Sequence, residues 1–461
     1  MISRLLLFIF LILPFQKELF RKSLRAFSLN TIPLDVILPD YAYYKFYLFP
    51  THFMIIVLLA MLLYRSRDWR GFFLSGPSKY LTFFAFVALF SVGASPFAHY
   101  FAIYNRCFEI MLAIGLFHCI KTELDSESAI PFVSMFAWIL FAIALFQCVI
   151  GITQYFLQHS IGLHFLGELK HLFTFEFSGG KRWVFDEIFS VERHSDTLAR
   201  VSGTLQHPNV LGGFLFCTLL SSIYLYFSNN KCKTLLLTGI SLQFVILILS
   251  FSRAALFVSL LMIAFSCVFY ARHINLRKRI NSVIVVLSCS AVLCVALFHS
   301  QILGRGGIFN YNKEVRGADT ERVLYQKIAW EMFKERPFLG QGMNSFKLHT
   351  HRFAPKGKRL ISEVHNIYLH ILAETGLLGA GCFFLFLFAV LRHAYVCMRS
   401  AEGILLFTLF IGNLLIGCCD FYFIKLPEGQ ILFFGISALL YAVIKSIRKR
   451  ENKMKISKVA L

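Results

Sequence analysis

The chain has 461 residues, of which 57% are hydrophobic and only 15% are charged, and its mean hydropathy is +0.66. A soluble domain carries roughly 25% charged residues, so this composition excludes an ordinary soluble protein. The formal net charge is +21. With no nucleic-acid-binding motif in the chain, this excess is better explained by the Lys and Arg that membrane proteins place in cytoplasmic loops.

Apolar runs long enough to cross a bilayer recur along the whole chain. We predict an all-α fold: a polytopic integral-membrane bundle of about twelve transmembrane helices that forms one domain over residues 1–461. The first run, Leu5–Phe15, is short and is followed by cations, which favours a short or interfacial helix. The other predicted spans are 48–64, 79–95, 99–120, 130–156, 207–227, 235–250, 254–271, 282–299, 366–391, 402–420 and 429–446.

The cations of the short loops indicate the orientation of the chain. Lys and Arg cluster in every second loop and in the tail 447–461, and the positive-inside rule makes that side cytoplasmic. Two long loops, 157–206 and 300–364, then lie on the outer side of the membrane. The segment Lys17–Arg25 breaks the rule if the first run crosses the membrane. We therefore expect a multi-pass membrane protein whose polar chemistry lies on the outer side, away from the cytoplasm.

The second long loop, 300–364, carries 12 Lys and Arg against six acids. An excess of six positive charges is suited to an anionic ligand such as a phosphate or a phosphorylated sugar. A basic surface that faces anionic lipid head groups would have the same composition. Composition alone leaves both interpretations open.

Within this loop the pattern predicts an amphipathic helix from Thr320, which can cap it, to about Arg336. Leu324, Ile328 and Met332 share one face of that helix. The proline that follows Arg336 ends the helix, because proline cannot continue the backbone hydrogen bonding. We expect the helix to lie on the membrane surface or to cover the site.

Three segments place Arg or His at the outer ends of spans. Arg200 precedes a span in which Pro208 suits the first helical turn, and His207 can cap that helix. Arg253 lies in a polar turn that splits one long apolar run into two spans. An Arg at the membrane edge is a functional candidate or a side chain that reaches for head groups. His365-Asn366 begins the span after the basic loop, where the helix dipole keeps His365 neutral.

Together these residue types can carry transfer of a group from a diphosphate to a hydroxyl. Two arginines can hold a diphosphate through charge-assisted, often bidentate bonds, and a neutral His can deprotonate a hydroxyl. The sequence has no DxD-like acidic pair on the outer side and no Cys/His set, and its 12 cysteines are mostly single residues inside apolar runs. We therefore expect neither a metal nor a cofactor.

Five acids are weaker site candidates. Glu109 and Glu374 lie within spans, where pairing with helix neighbours is the simplest explanation. Glu168, Asp186 and Glu187 lie in the first long loop and could bind sugar hydroxyls, although nothing in the sequence orients them.

At this point the chain resembles the O-antigen ligases and the related O-antigen polymerases. His365-Asn366, followed after nine residues by Gly376 and Gly379, fits the ligase signature H-[NSQ]-x9-G-x-x-G. Three further stretches match the family pattern in the same order, at 200–212, 250–255 and 322–342. The resemblance covers residues 200–380, and the first third of the chain matches only in hydropathy.

The resemblance implies a metal-independent membrane glycosyltransferase. Such enzymes lie in the bacterial inner membrane, so both long loops would be periplasmic. They transfer a glycan from undecaprenyl diphosphate to lipid A–core at the periplasmic face, with inversion at the anomeric carbon. By position, His365 corresponds to the catalytic base, and Arg200 and Arg253 to the diphosphate ligands. Arg322, Asn366 and His207 would support them.

Other functions remain compatible with the same sequence. A polymerase of this family uses a second lipid-linked glycan as acceptor, and other relatives glycosylate proteins or build other surface polymers. A transporter of lipid-linked glycans would place cations along a path through the spans, and a scaffold would need no cluster of Arg and His. Convergence of Arg200, Arg253 and His365 in the fold separates an enzyme from a scaffold.

Overall fold

The fold is known from a computed structural model, which describes residues 2–15, 20–23, 45–65, 68–96, 101–124, 127–176, 197–272, 276–306, 313–354 and 362–459. Helices dominate these ranges, as predicted. Two short antiparallel strand pairs accompany them: β1 (Phe20–Ser23) with β2 (Lys45–Leu48), and β3 (Thr174–Glu176) with β4 (Thr197–Ala199).

Sixteen α-helices are described in these ranges. They are α1 (Ile2–Leu11), α2 (Pro50–Arg65), α3 (Trp69–Leu74), α4 (Ser78–Gly93), α5 (Phe101–Glu123), α6 (Ala129–Leu157), α7 (Pro208–Ser228), α8 (Lys233–Leu249), α9 (Arg253–Tyr270), α10 (Arg277–Gly306), α11 (Lys313–Glu335), α12 (Phe346–Phe353), α13 (Ile367–Leu391), α14 (Ala401–Gly417), α15 (Tyr422–Lys425) and α16 (Pro427–Val459). Short 3₁₀ helices lie at His164–Leu166 and Ala394–Arg399.

The long helices coincide with the predicted spans. In the described part of the chain six helices are long and apolar enough to cross a membrane, and five more apolar helices are shorter. With α5, which lies on the predicted span 99–120, they account for all twelve predicted runs. The chain is therefore a multi-pass, all-α membrane protein.

Helix α7 lies at the centre of the bundle. Every residue from Val210 to Phe227 is buried, and α6, α8, α9 and α14 pack around it. The outer helices α9 and α10 instead expose large apolar side chains, among them Phe257, Val285 and Val292. An apolar outer surface of this kind is suited to lipid, and the buried central helix positions the segment that precedes it.

Helix α1 is a packed element of the bundle. Its residues Ile2, Leu6, Ile9 and Phe10 are buried, and it contacts α6, α2 and α5. At the opposite end of the chain, α16 continues without interruption to Val459. The basic tail predicted at 447–461 therefore begins inside a helix.

The helix in the second long loop begins earlier than expected. It starts at Lys313, so Thr320 lies inside α11 and does not cap it. The predicted apolar face is correct, since Ile328 and Met332 are buried and Leu324 is partly buried. They form a small core of their own with Phe346 and with residues at the start of α13, which fixes the loop helix against the end of the bundle.

Candidate active site

Two buried glutamines of α6 shape the segment that enters α7. The Oε1 atom of Gln154 accepts hydrogen bonds from Ser202 N at 3.1 Å and from Gly203 N at 2.9 Å. Gln147 accepts a bond from Thr204 N at 2.9 Å and donates one to its Oγ1 at 2.7 Å. These side chains satisfy backbone groups that have no helix partner, so the segment has a defined shape at the membrane edge.

Arg200 joins this segment to the turn between α8 and α9. Its Nε and Nη2 donate to Ser250 O at 3.0 and 2.8 Å, and Nη2 also donates to Asn209 Oδ1 at 2.8 Å. The side chain is buried, so these charge-assisted bonds form away from bulk water, where they are strong. Arg200 thus brings two predicted segments into direct contact.

Arg253 is the first residue of α9 and is exposed. It follows a tight turn in which Phe251 has a φ of +52° and Ser252 occupies the N-cap position. The backbone of this turn is held by Arg200 through Ser250. The structure therefore places Arg253 at the same end of the bundle as Arg200, on a turn that Arg200 supports.

A polar chain links Arg200 to His365. Asn209, which accepts from Arg200, donates its Nδ2 to Asp420 Oδ2 at 2.8 Å. The other carboxylate oxygen, Asp420 Oδ1, lies 3.9 Å from His365 Nδ1. That last distance is too long for a hydrogen bond, so Asp420 acts on the imidazole through its charge. The chain connects segments that are far apart in the sequence.

Asn366 holds His365 at the start of α13. Its Oδ1 accepts hydrogen bonds from Tyr368 N and Leu369 N, both at 3.0 Å, which caps the helix. Its Nδ2 donates to Cys418 O at 3.2 Å and so ties α13 to the end of α14. The predicted supporting residue is therefore a helix cap that also fixes the neighbouring segment.

The environment of His365 favours a neutral imidazole. Burial lowers the pKa of His365 and the positive charge of Arg322 lowers it further, while Asp420 and Glu363 act in the opposite direction. The ring also contacts the Phe421 ring edge-on at 5.0 Å between centroids. A neutral imidazole can accept a proton, as a general base must.

His207 and Arg322 also belong to this cluster. Burial, with smaller contributions from Arg200, His365 and Arg322, lowers the pKa of His207 to about 4, although Asp420 opposes the shift. His207 caps α7, since its Nδ1 accepts a hydrogen bond from Asn209 N at 3.0 Å. Arg322 lies on α11, so the helix of the long loop contributes a charge to the same site.

Two glycines, Gly340 and Gly376, allow the second long loop to pack closely against α13. At Gly376, with a φ of +62°, an added Cβ would lie 2.4 Å from the carbonyl carbon of Phe338. At Gly340, with a φ of +69°, it would lie 2.4 Å from that of Glu374. The Leu378 amide also donates to Phe338 O at 3.2 Å. Because the helix breaks at Gly376, the loop backbone packs into the gap.

A buried ionic network lies beside this break. Lys425 Nζ lies 2.9 and 3.1 Å from the two carboxylate oxygens of Glu374, and His370 Nε2 lies 3.1 Å from Glu374 Oε1. Glu363 lies 3.6 Å from both His370 and Lys347. Glu363, His370 and Glu374 are near enough to share a metal ion. The ammonium group of Lys425, however, already balances the charge of Glu374, so we describe this group as an ion-pair network.

Glu168 has a structural role in the first long loop. Its carboxylate accepts hydrogen bonds from Ile161 N at 2.8 Å and from Leu163 N at 2.6 Å, so it folds its own loop and is not aimed at a ligand. Asp186 and Glu187, the other sugar-binding candidates of this loop, lie outside the described residues.

Sequence reasoning missed three of the residues that organise the site. Asp420 was overlooked because it lies at the end of a long apolar run, and only its position near an outer helix end could have singled it out. Asn209 appeared within a matched stretch without a role. Lys425 is a lone cation between two apolar helices, where its partner Glu374 is 51 positions away in the sequence.

Fold and site together define a class: a multi-pass membrane protein with a histidine, an aspartate and arginines gathered at one end of its bundle. The family model described as O-antigen ligase matches residues 238–384, a range that contains Arg253, Arg322 and His365. This match supports assignment of the chain to the O-antigen ligase family, whose members are membrane enzymes of the ligase and polymerase type that act on lipid-linked glycans and glycan acceptors. No curated protein matches the chain.

Proposed function

We propose that the chain is an O-antigen ligase of lipopolysaccharide biosynthesis. It transfers a glycan from undecaprenyl diphosphate to a sugar hydroxyl of lipid A–core, with inversion at the anomeric carbon. The observation that carries this proposal is the polar chain from Arg200 through Asn209 and Asp420 to His365. With the bonds of Arg200 to Ser250, it joins three of the four segments that the family resemblance singled out, as a shared active site requires.

His365 is the proposed general base. Asp420 faces Nδ1, which favours the tautomer that carries its proton there and leaves the Nε2 lone pair for the acceptor hydroxyl. As the acceptor oxygen bonds to the anomeric carbon, its proton passes to Nε2 and the bond from that carbon to the diphosphate oxygen breaks. Proton transfer by a positioned base contributes roughly 10²–10⁴-fold to a rate.

The arginines are proposed to stabilise the leaving diphosphate. Arg253 is exposed and can bind the diphosphate directly through its planar guanidinium group. Arg200, which holds the turn of Arg253, adds positive charge to the wall of the site, and Arg322 does so from the loop helix. Fixed positive charge placed where negative charge develops lowers the barrier without a metal ion.

The proposed orientation follows from the position of this site in the bundle. His207 and His365 precede α7 and α13, whereas the clustered cations of the short loops and of α16 lie at the other ends of the helices. With that basic side in the cytoplasm, the site faces the periplasm of the inner membrane.

Complementation of a gene deletion tests the proposal. We expect the lipopolysaccharide of the deletion strain to run on a gel as lipid A–core without polymer, while polymer accumulates on its lipid carrier. Wild type should restore lipopolysaccharide in which the polymer is attached to lipid A–core. His365→Ala and Arg253→Ala should not restore it, although both variants are expressed. A core that carries a single repeat unit would instead identify a polymerase, and full complementation by both variants would refute the site.

A further inference from the structure

A basic cavity lies at the end of the bundle opposite His365. It has a volume of about 630 Å³ and is enclosed by the start of α4, the end of α13 and the last part of α16. The opposite ends of α4 and α13 reach the loop that contains Gly342 and the site histidine. The cavity is therefore separate from the candidate active site by the length of these helices.

Five cations line this cavity and no acid does: Lys79, Arg392, Lys445, Arg448 and Lys449. Within the part of the chain that the structure describes, none of them forms an ion pair with a carboxylate. The neighbouring acid of α16, Glu451, is bound to Arg399 and so is not available to them. Five like charges repel one another, and a bound anion would relieve that repulsion.

Besides the polar side chains of His393 and Asn452, the rest of the lining is largely apolar or aromatic. Tyr80 and Tyr441 contribute rings, Ala389 and Ile444 contribute aliphatic surface, and Lys79 Nζ lies 4.9 Å from the centre of the Tyr80 ring. Tyrosines are typical of the membrane–water interface. The cavity thus combines cations with apolar surface at the ends of the spans. This combination is complementary to a phospholipid, which has a charged headgroup joined to apolar acyl chains.

We propose that this cavity binds the headgroup of an anionic phospholipid, with its phosphate among Lys79, Arg392 and Arg448. Basic pockets between transmembrane helices on the cytoplasmic side suit such headgroups. The occupant stabilises the ends of α4, α13 and α16 against their mutual charge repulsion. This site does not depend on the proposed glycosyl transfer.

Native mass spectrometry of the full-length protein in detergent tests the proposal. Added phosphatidylglycerol or cardiolipin should remain bound, and phosphatidylethanolamine should not. The triple variant Lys79→Gln/Arg392→Gln/Arg448→Gln should bind the anionic lipids about a hundredfold more weakly, since each cation near a surface contributes about fivefold. All three side chains are exposed, so the variant should fold.

A matched control is the triple variant Lys231→Gln/Lys233→Gln/Lys278→Gln. These cations are exposed, lie at the same end of the bundle and do not line the cavity, so this variant should bind lipid as wild type does. Equal loss in both variants would overturn the proposal in favour of a diffuse basic surface. Unchanged binding in the first variant would also overturn it. Inorganic pyrophosphate is the competitor, and displacement of the lipid by it at micromolar concentration would identify a site for soluble anions instead.

Discussion

At the scale of single residues, the proposed chemistry depends on the pKa of His365, which burial and the neighbouring charges set. Burial lowers the pKa of His365 most, Asp420 raises it, and Arg322 lowers it further. Because only the neutral imidazole can accept a proton, transfer should fail below this pKa. The neighbouring charges should therefore set the acidic limb of the pH profile.

Two variants should move that limb in opposite directions. Asp420→Asn removes a charge that raises the pKa of His365, so the acidic limb should move to lower pH. Arg322→Gln removes a charge that lowers this pKa, so the limb should move to higher pH. The measurement is the rate of glycan transfer as a function of pH in detergent. If the acidic limb moved in the same direction in both variants, the result would contradict the assignment of His365 as the base.

Arg200 and Arg253 should separate by their effect on stability. Arg200→Lys loses the bonds to Ser250 and Asn209 and should cost about 1.5–3 kcal/mol, the usual contribution of hydrogen bonds to a charged group. Arg253→Gln alters an exposed side chain and should leave the melting temperature unchanged while transfer falls. Thermal unfolding and activity of both variants check this, and a large loss of stability in Arg253→Gln would refute it.

At the scale of elements, the active-site end depends on how the long loop is attached to α13. The helix breaks at Gly376, and the loop backbone fills the gap through its own glycine, Gly340. Gly376 of the ligase signature therefore has a structural explanation in this fold. Together with Gly340 it fixes α11, and with it Arg322, beside His365.

Substitution of Gly376 by alanine should be strongly destabilising. The new Cβ would meet Phe338 at 2.4 Å in a backbone conformation with positive φ. A residue with a Cβ at this φ and at a ψ of −163° costs about 1–3 kcal/mol, and overpacking adds about 1–3 kcal/mol. Gly381→Ala, in the same helix with no neighbour within 4 Å, is the control. Thermal unfolding should show a loss only for Gly376→Ala, and equal behaviour of the two variants would contradict the packing.

Removal of Lys425 alone should destabilise the protein strongly, whereas removal of both Lys425 and the charge of Glu374 should not. Lys425→Met leaves the fully buried carboxylate of Glu374 without its countercharge, which should cost about 3–5 kcal/mol. The double variant Lys425→Met/Glu374→Gln removes both charges and should recover much of that loss. Thermal unfolding of the single and double variants measures this. A double variant that is less stable than Lys425→Met would contradict a charge-balanced network.

At the scale of the whole molecule, the bundle could be predicted from the sequence and the connections across it could not. The bounds of the spans follow from apolar runs, and Pro208 and Asn366 mark helix starts by their backbone chemistry. Asp420 and Lys425 carry no local signal, because their meaning comes from Asn209, His365 and Glu374 in distant segments. The start of α11 was also predicted too late, because the residues before Thr320 extend the helix without an apolar pattern.

The proposed orientation and reaction together explain why charge is divided between the two ends of the bundle. One end gathers Arg200, Arg253, Arg322 and His365, which suit a diphosphate and a hydroxyl. In the proposed orientation, the other end carries the cations of the short loops and faces the anionic inner leaflet. The donor lipid would then enter from the membrane, while its glycan and the acceptor meet outside it.

Transfer by the purified protein in proteoliposomes tests the central claim most directly. The substrates are undecaprenyl-diphosphate-linked glycan and lipid A–core, and the product is measured for wild type and His365→Ala, with and without a chelator. We predict transfer by wild type that the chelator does not change, and a rate lower by about 10²–10⁴-fold for His365→Ala. Transfer by His365→Ala at the wild-type rate would contradict the account.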